Sequence, residues 1–472
     1  MRRDLWSLVS PGVGSLAVVA FAIGVKAFET MPPVLLMANL ALGLAGYEAT
    51  SRMTLAMSPA FIKSRLFGID LNKPSTKRDA DGTLVRPYEG TLVPEAMGVI
   101  AGTVYLVCMF VFMPLPFVHD YHSWGSSEGG SWGSAAQSIV SSRASGTAYH
   151  FPHAHLSKFL CAFLSICCMC FLGFADNVLD LRWRDKLWLP LSASLPLMIV
   201  YAVDGGGTLI VLPKLLTPWL GQTLTLGPLY YIFMTSLAIF CTNSINILAG
   251  VNGLEVGQSV VIAATVILNN AIQLYRWPEG PLHDNNLFSF YLMVPFFFTS
   301  LALLRHNWYP SKIFVGDTYC YFAGMTFAVA AILGHNTKTV LLFFVPQILN
   351  FIYSVPQLFK FIPCPRHRMP GYLAESDQLC VSWTEFKRGD LSRAGLLTVK
   401  LCETFKLARF EYGAHGLVRM SNMTIICYVL HLFGPMHESR LTTVLLLFQV
   451  LCNTAALLVR YQLAGLLYDV VR

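Results

Sequence analysis

Ten apolar stretches recur along this chain, at about 33–50, 97–118, 157–175, 187–203, 227–248, 257–275, 286–304, 313–334, 339–362 and 441–467. Each is long enough to cross a hydrocarbon core of about 30 Å as a helix. No water satisfies backbone N–H and C=O groups in lipid, so such runs must close their hydrogen bonds internally as helices. Composition agrees, with 55% hydrophobic residues and only 12% charged, against roughly 25% charged in soluble domains. Soluble fold classes are thereby excluded. An eleventh stretch, Leu5 to Val25, follows the basic start Met1-Arg2-Arg3. It resembles a signal h-region, but without a clear small-residue cleavage site a retained helix is favoured. The expected fold is an all-α polytopic membrane protein of ten or eleven transmembrane helices. Residues 1–30 form an N-terminal extension and 31–472 one integral-membrane domain.

The net charge of +7 does not point to nucleic acid, because basic loops in a polytopic chain report topology. Alternating the loops puts Arg52, Lys63, Arg65, Lys73, Lys77, Arg78 and Arg86 on one side. Arg182, Arg184, Lys186, Arg305, Lys312 and the basic residues of 363–440 join them there. The Ser/Gly-rich loop 119–156 and the loops 204–226 and 276–285 fall on the other side and are poor in Lys and Arg. The first set is expected to be cytosolic. That side includes the long insertion 363–440 between the last two spans, where the sequon Asn422-Met-Thr424 is expected to stay unglycosylated. The twelve cysteines lie mostly in apolar segments and lack zinc-site spacing, so they read as small hydrophobes. His150, His153 and His155 read as loop histidines rather than a metal site. No internal repeat is visible, which argues against duplicated transporter folds.

The polar groups that such a chain would not carry without reason collect at the cytosolic ends of the spans. After KFLCAFLSICCMCFLG come Asp176, Asn177 and Asp180, which neighbour one another on a helix face, then Lys186. Like charges this close need a cation between or beside them, unless the segment is merely a solvated helix end. The stretch CTNSINILAGVNGLE holds Asn246 and Asn252 among glycines. Glycines let backbone approach a ligand, and amide oxygens ligate hard cations. SKIFVGDT carries Asp317 into a span, and PCPRHRMP sets Arg366, His367 and Arg368 between prolines. Two guanidinium forks suit a diphosphate, although positive-inside charge would look the same. Together the clusters have one chemical logic: acid and amide oxygens hold Mg²⁺, Mg²⁺ holds a diphosphate, and Lys and Arg take the remaining negative charge.

LGFADNVLDLRWRDKLWLP, CTNSINILAGVNGLEVGQS, HNWYPSKIFVGDTYCYFAGMTFAV and IPCPRHRMP resemble the polyprenyl-phosphate hexose-1-phosphate transferases, in their eukaryotic endoplasmic-reticulum branch. The resemblance runs from about Met31 to the C-terminus and makes 31–472 a catalytic domain. It implies transfer of GlcNAc-1-phosphate from UDP-GlcNAc to dolichyl phosphate with release of UMP. It also implies a multi-pass endoplasmic-reticulum protein surrounded by membrane lipids, with a cytosol-facing site, and a homodimer. By position, Asn246 and Asp317 would hold Mg²⁺, while Lys186, Arg366 and Arg368 would bind phosphates. Leu71 and Asn252 would contact uridine with Glu95 nearby, and His367 would face the sugar. Asp176 would lie near the acceptor phosphate. The family usually reads Asp-Asp-x-x-Asn or Asp-Asp-x-x-Asp where this chain reads Asp176-Asn177-Val-Leu-Asp180. Asp180 is the candidate to supply the missing carboxylate, and a general-base role falls to Asp176 or to neither. A transferase for another UDP-sugar is the nearer alternative, a transporter the more distant one.

Overall fold

The computed structural model describes residues 31–467 except 72, 74–75, 78–88, 120–151, 180, 182–185, 187, 204–205, 213, 215–216, 366–367 and 414–415. The expectations for residues 1–30, most of loop 119–156, Asp180, Arg366 and His367 lie outside the described residues.

The bundle is built from α1 (Pro33–Lys63), α2 (Gly98–Phe112), α3 (His153–Leu179), α4 (Trp188–Val203), α5 (Pro228–Ile247), α6 (Leu254–Arg276) and α7 (Pro281–Asn307). It continues with α8 (Gly316–Leu333), α9 (Thr337–Phe343) and α10 (Val345–Leu358). The insertion contributes α11 (Arg393–Thr404) and α12 (Ile425–Phe433), and α13 (Glu438–Leu458) runs on through a π-helical turn, Val459–Leu463, into the short α14 (Ala464–Leu467). Seven helices are long and apolar enough to cross a membrane, or eight if α9 and α10 count as one bent span. The other two apolar stretches form α4, at 16 residues shorter than a span, and α8. Every residue of α8 from Thr318 to Leu333 is buried. It packs against α3, α5, α7 and α2, so its polar and small residues face protein rather than lipid.

Close backbone approach makes that enclosure possible. A Cβ on Gly324 would sit 2.4 Å from the Thr242 Cα of α5, and one on Gly173 would sit 2.8 Å from the Thr318 Cα. Small residues at such crossings let helices pack where lipid supplies no hydrophobic drive. Gly324→Ala is therefore expected to lose more than the about 1–3 kcal/mol typical of overpacking, because backbone cannot move aside as a side chain would. Thermal unfolding in detergent checks this, and an unchanged midpoint would refute it.

Three sequence expectations need correction. The stretch 339–362 is not one straight helix but bends by 67° between α9 and α10. Pro346 lies in the first turn of α10; its missing N–H and its hindrance of the preceding residue break the helix there. The freed Phe343 carbonyl accepts from Gln449 Nε2 at 2.8 Å, and Gln347 Nε2 bridges Gln449 and Gln258 at 2.7 Å each. A buried break in a membrane bundle requires such internal partners. The second correction concerns the all-α class. Short antiparallel pairs join β1 (Phe67–Ile69) to β2 (Leu92–Pro94) and β3 (Leu209–Val211) to β4 (Thr223–Thr225). The insertion folds as the hairpin β5 (Gly371–Leu373)–β6 (Gln378–Cys380) and a three-stranded sheet. That sheet is formed by β7 (Trp383–Lys387), β8 (Phe410–Tyr412) and β9 (Leu417–Ser421), in the order β7-β9-β8. In β7 burial alternates residue by residue, the period of a strand with one covered face. His153 and His155 fall in the first turn of α3, directly after Pro152, rather than in a loop. Asn422 is buried and bonded to Gln357 and Ser382.

Candidate active site

At one end of the bundle a cavity of about 320 Å³ is lined by Leu71, Glu95, Asn246, Asn252 and Asp317, five of the residues singled out from sequence. Asp70, Glu255, Asn307, Met369 and Glu438 share its wall.

Backbone hydrogen bonds set the wall nearest Asp317. Phe314 N–H donates to the Pro94 carbonyl, Met97 N–H to Phe314 and Gly98 N–H to Val315. This strap carries Glu95 alongside Asp317. Burial, and then the Asp317 charge, push the Glu95 carboxyl above its usual range. On the other side of Asp317, Lys186 Nζ lies 2.7 Å from Asp317 Oδ2 and 2.9 Å from Asp176 Oδ2. Burial lowers the Lys186 pKa, but the hydrogen bond and charge of Asp317, and then those of Asp176, outweigh it and raise the value overall. Asp176 is fully enclosed, at 0% side-chain exposure. It accepts from Tyr321 Oη at 3.0 Å and from Leu181 N–H at 3.2 Å. Its oxygens are thus held by protein donors, whereas Asp317 keeps 22% exposure.

The opposite wall holds Asn252 from three directions. Its N–H donates to Glu438 Oε1 at 2.7 Å, its Nδ2 to Asp70 Oδ2 at 2.9 Å, and its carbonyl accepts from Thr442 Oγ1 at 2.9 Å. Lys73 Nζ sits 3.0 Å from Glu438 and 3.4 Å from Asp70, over the Tyr309 ring at 3.5 Å from its centroid. Glu255 Oε1 accepts from Gly250 N–H at 3.0 Å and so closes the loop between Asn246 and Asn252. Arg368 reaches the Met423 carbonyl with Nη1 at 3.5 Å, and its neighbour Met369 lines the cavity.

The cavity wall is rich in oxygen donors, with five carboxylates and three amides. Among the described residues, the lysines paired to these acids are Lys73 and Lys186, each already shared between two of them or their neighbours. No group of three or more His, Cys, Asp or Glu side chains converges into a closed metal cage among the described residues. A Mg²⁺ ion would need only one or two protein oxygens, with substrate phosphates and water completing its shell. Asp317 and Asn246 are the side chains that would hold it, and the excess of acids over lysines supplies the electrostatic demand.

Sequence reasoning missed Asp70, Lys73, Tyr309 and Glu438. Lys73 reads as one more positive-inside charge, and Glu438 lies 365 positions away from it, so only the fold brings them together.

The described residues thus form a helical bundle with seven or eight candidate membrane spans and an acid- and amide-lined cavity at one end. Residues 159–335, which contain Asp176, Lys186, Asn246 and Asp317, match the family described as Glycosyl transferase family 4. Over 442 residues the chain is 40% identical to the UDP-N-acetylglucosamine–dolichyl-phosphate N-acetylglucosaminephosphotransferase of Schizosaccharomyces pombe, covering 92% of this chain and 93% of that one. The Saccharomyces cerevisiae protein of the same name is 42% identical over 440 residues, with 92% and 93% covered. The Dictyostelium discoideum protein of that name is 41% identical over 416 residues, with 84% and 82% covered. This chain belongs to the family of UDP-N-acetylglucosamine–dolichyl-phosphate N-acetylglucosaminephosphotransferases.

Proposed function

We propose that this chain transfers GlcNAc-1-phosphate from UDP-GlcNAc to dolichyl phosphate, giving GlcNAc-diphosphate-dolichol and UMP. The observation that carries the reading is the identity of 40–42% across 92% of the chain.

The acceptor phosphate is a monoester with a second pKa near 6, so it is largely dianionic at neutral pH. It needs placement more than deprotonation, and a direct in-line attack on the sugar-bearing phosphorus needs no covalent enzyme intermediate. Lys186, gripped from one side by enclosed Asp176, presents a cation where that phosphate must approach. Asp176 then works through Lys186 rather than as a general base, since its oxygens already serve Tyr321, Leu181 and Lys186. Leu71, Glu95 and Asn252 form the wall for the nucleoside. Mg²⁺ held by Asn246 and Asp317 would neutralise the donor diphosphate. Arg366 and Arg368 would take the remaining phosphate charge and His367 would face the sugar. The acidic cavity without Mg²⁺ is a poor place for a diphosphate, which supports metal dependence.

The reading extends to ten or eleven spans in the endoplasmic-reticulum membrane, counting α4 and α8, with the cavity and the insertion 363–440 facing the cytosol and a homodimer as the assembled form. The Lys- and Arg-rich loops at the cavity end support that orientation.

Detergent-solubilised protein given UDP-GlcNAc, dolichyl phosphate and Mg²⁺ is expected to release UMP. Withholding either dolichyl phosphate or Mg²⁺ should stop it. UMP release that ignores dolichyl phosphate would overturn the reading, and competition by another UDP-sugar as strong as by UDP-GlcNAc would redirect it to a different donor. Arg368→Lys is expected to lose at least about tenfold in kcat/KM, because a point ammonium cannot reproduce the guanidinium fork. Wild-type kinetics would instead assign Arg368 to topology alone.

A further inference from the structure

The family pattern places an acid where this chain has Asn177, and the structure shows what that side chain touches. Asn177 Oδ1 accepts two hydrogen bonds, from Thr318 N–H at 2.9 Å and from Thr318 Oγ1 at 2.7 Å. Thr318 is the third residue of α8, so its N–H is one of the donors that a helix N-terminus leaves without an intrahelical partner. No side chain of α8's own N-terminal segment caps it. The cap comes in trans, from the last turn of α3.

The surroundings are shaped for this contact. Gly316 has φ of +67° and opens the helix in a left-handed conformation that suits glycine. A Cβ there would fall 2.6 Å from Asn177 Oδ1, so the bare Cα leaves the space that the carboxamide fills. One turn back along α3, Gly173 crosses α8 so closely that a Cβ would meet the Asp317 carbonyl at 3.2 Å. Asp317 therefore sits between two fixed points on α3, Gly173 below and the Asn177 carboxamide above. Its side chain is aimed at Lys186 and the cavity.

We propose that Asn177 is a positioning residue for Asp317: its carboxamide oxygen caps α8 from α3 and so fixes the carboxylate that faces Lys186 and would hold the metal. The proposal rests on the metal assignment made above. What position 177 must supply is then one acceptor oxygen, which an amide and a carboxylate share. A carboxylate there would be favoured by the helix N-terminus, and a neutral amide does the same task without adding negative charge beside Asp176 and Asp317. The departure from the family pattern is thereby accommodated without requiring Asp180 to replace a lost acid.

The test uses the full chain in detergent. Mn²⁺ serves as the paramagnetic probe, its binding followed by electron paramagnetic resonance, alongside Mg²⁺-dependent UMP release and thermal unfolding. The variants are Asn177→Asp, Asn177→Leu and Thr318→Val, which removes the hydroxyl donor but keeps the N–H. Asn177→Asp is expected to stay within about threefold of the parent in Mn²⁺ affinity and kcat. Asn177→Leu should weaken Mn²⁺ binding and raise the half-activating Mg²⁺ concentration by at least tenfold, and Thr318→Val by less. Should Asn177→Leu unfold, Thr318→Val and Asn177→Asp still decide the matter. The proposal is overturned if Asn177→Leu melts lower yet binds Mn²⁺ as the parent does, or if Asn177→Asp fails as Asn177→Leu does. A parent protein that releases UMP but binds no Mn²⁺ overturns it too and leaves the transferase reading standing. Absence of both UMP release and Mn²⁺ binding takes down the two together.

Discussion

Replacing Asp317 with alanine is expected to lower Mg²⁺-dependent UMP release by about two to three orders of magnitude, the scale for removing one preorganised electrostatic group from a transition state. Folding should survive, because the Asp317 side chain faces the cavity rather than the packed body of α8. Asp317 has two partners in prospect, Lys186 at 2.7 Å and the metal, and the variants separate them. Asp317→Asn keeps an oxygen acceptor for Lys186 but gives up the charge that favours a divalent ion. Raising Mg²⁺ should therefore restore part of its rate. Lys186→Met should be equally slow and gain nothing from extra Mg²⁺, since its loss falls on the phosphates. Asn246→Ala should follow the Asp317→Asn pattern more weakly, as a neutral ligand contributes less. Normal turnover by Asp317→Ala at limiting Mg²⁺ would remove the metal assignment altogether.

Much of this architecture was legible because lipid imposes a hard rule on sequence. Where a helix keeps exposed apolar residues for hydrocarbon, as α2, α3 and α13 do, the apolar run marks it. The rule weakens wherever protein replaces lipid. Helix α8 begins Gly-Asp-Thr-Tyr and is wholly enclosed from Thr318 onward. Its hydropathy therefore reports helix packing rather than membrane thickness. At the bend near Phe344 the Phe343 carbonyl and Gln347 are satisfied by Gln449 and Gln258, which arrive from elsewhere in the chain, and local periodicity cannot reveal that. In the insertion the short strands appear only as alternation over a few residues, as in Trp383–Lys387. The same distinction runs through the site. Asn246, Asn252, Asp317 and Lys186 stand out as polar groups at the ends of oily runs. Lys73 and Glu438 do not, because a lysine in a basic loop and a glutamate at a helix start are ordinary until the fold buries them against each other. Asn177 carried a signal only as a mismatch to a pattern, and its meaning needed the position of Thr318.

Lys73→Met is expected to destabilise the protein by about 3–5 kcal/mol, the scale for leaving a buried charge without its partner. Lys73 lies between the Asp70 and Glu438 side chains, which are 11% and 5% exposed, and is itself 11% exposed. An exposed pair would be worth at most about 1 kcal/mol, so the size of the loss reports the burial directly. The effect should reach beyond the lysine. Glu438 opens α13 and receives the Asn252 N–H, so the ammonium joins the loop after β1, the loop after α5 and the start of α13 at one point. Without it, the Asp70 and Glu438 carboxylates repel across the cavity wall and α13 loses its tie to the loop after β1. Adding Glu438→Gln to Lys73→Met should recover part of the stability, since it removes one of the uncompensated charges while keeping an acceptor for Asn252. The four proteins form a double-mutant cycle whose coupling is expected to be strongly favourable. UDP-GlcNAc should raise the melting temperature of the parent by mass action and do so less for Lys73→Met, because the wall it binds is no longer fixed. Thermal unfolding with and without the nucleotide sugar measures both effects. A Lys73→Met protein that melts with the parent and is equally protected by UDP-GlcNAc would mean that water reaches these acids, and that α13 is held by its packing against α6, α9, α10 and α12.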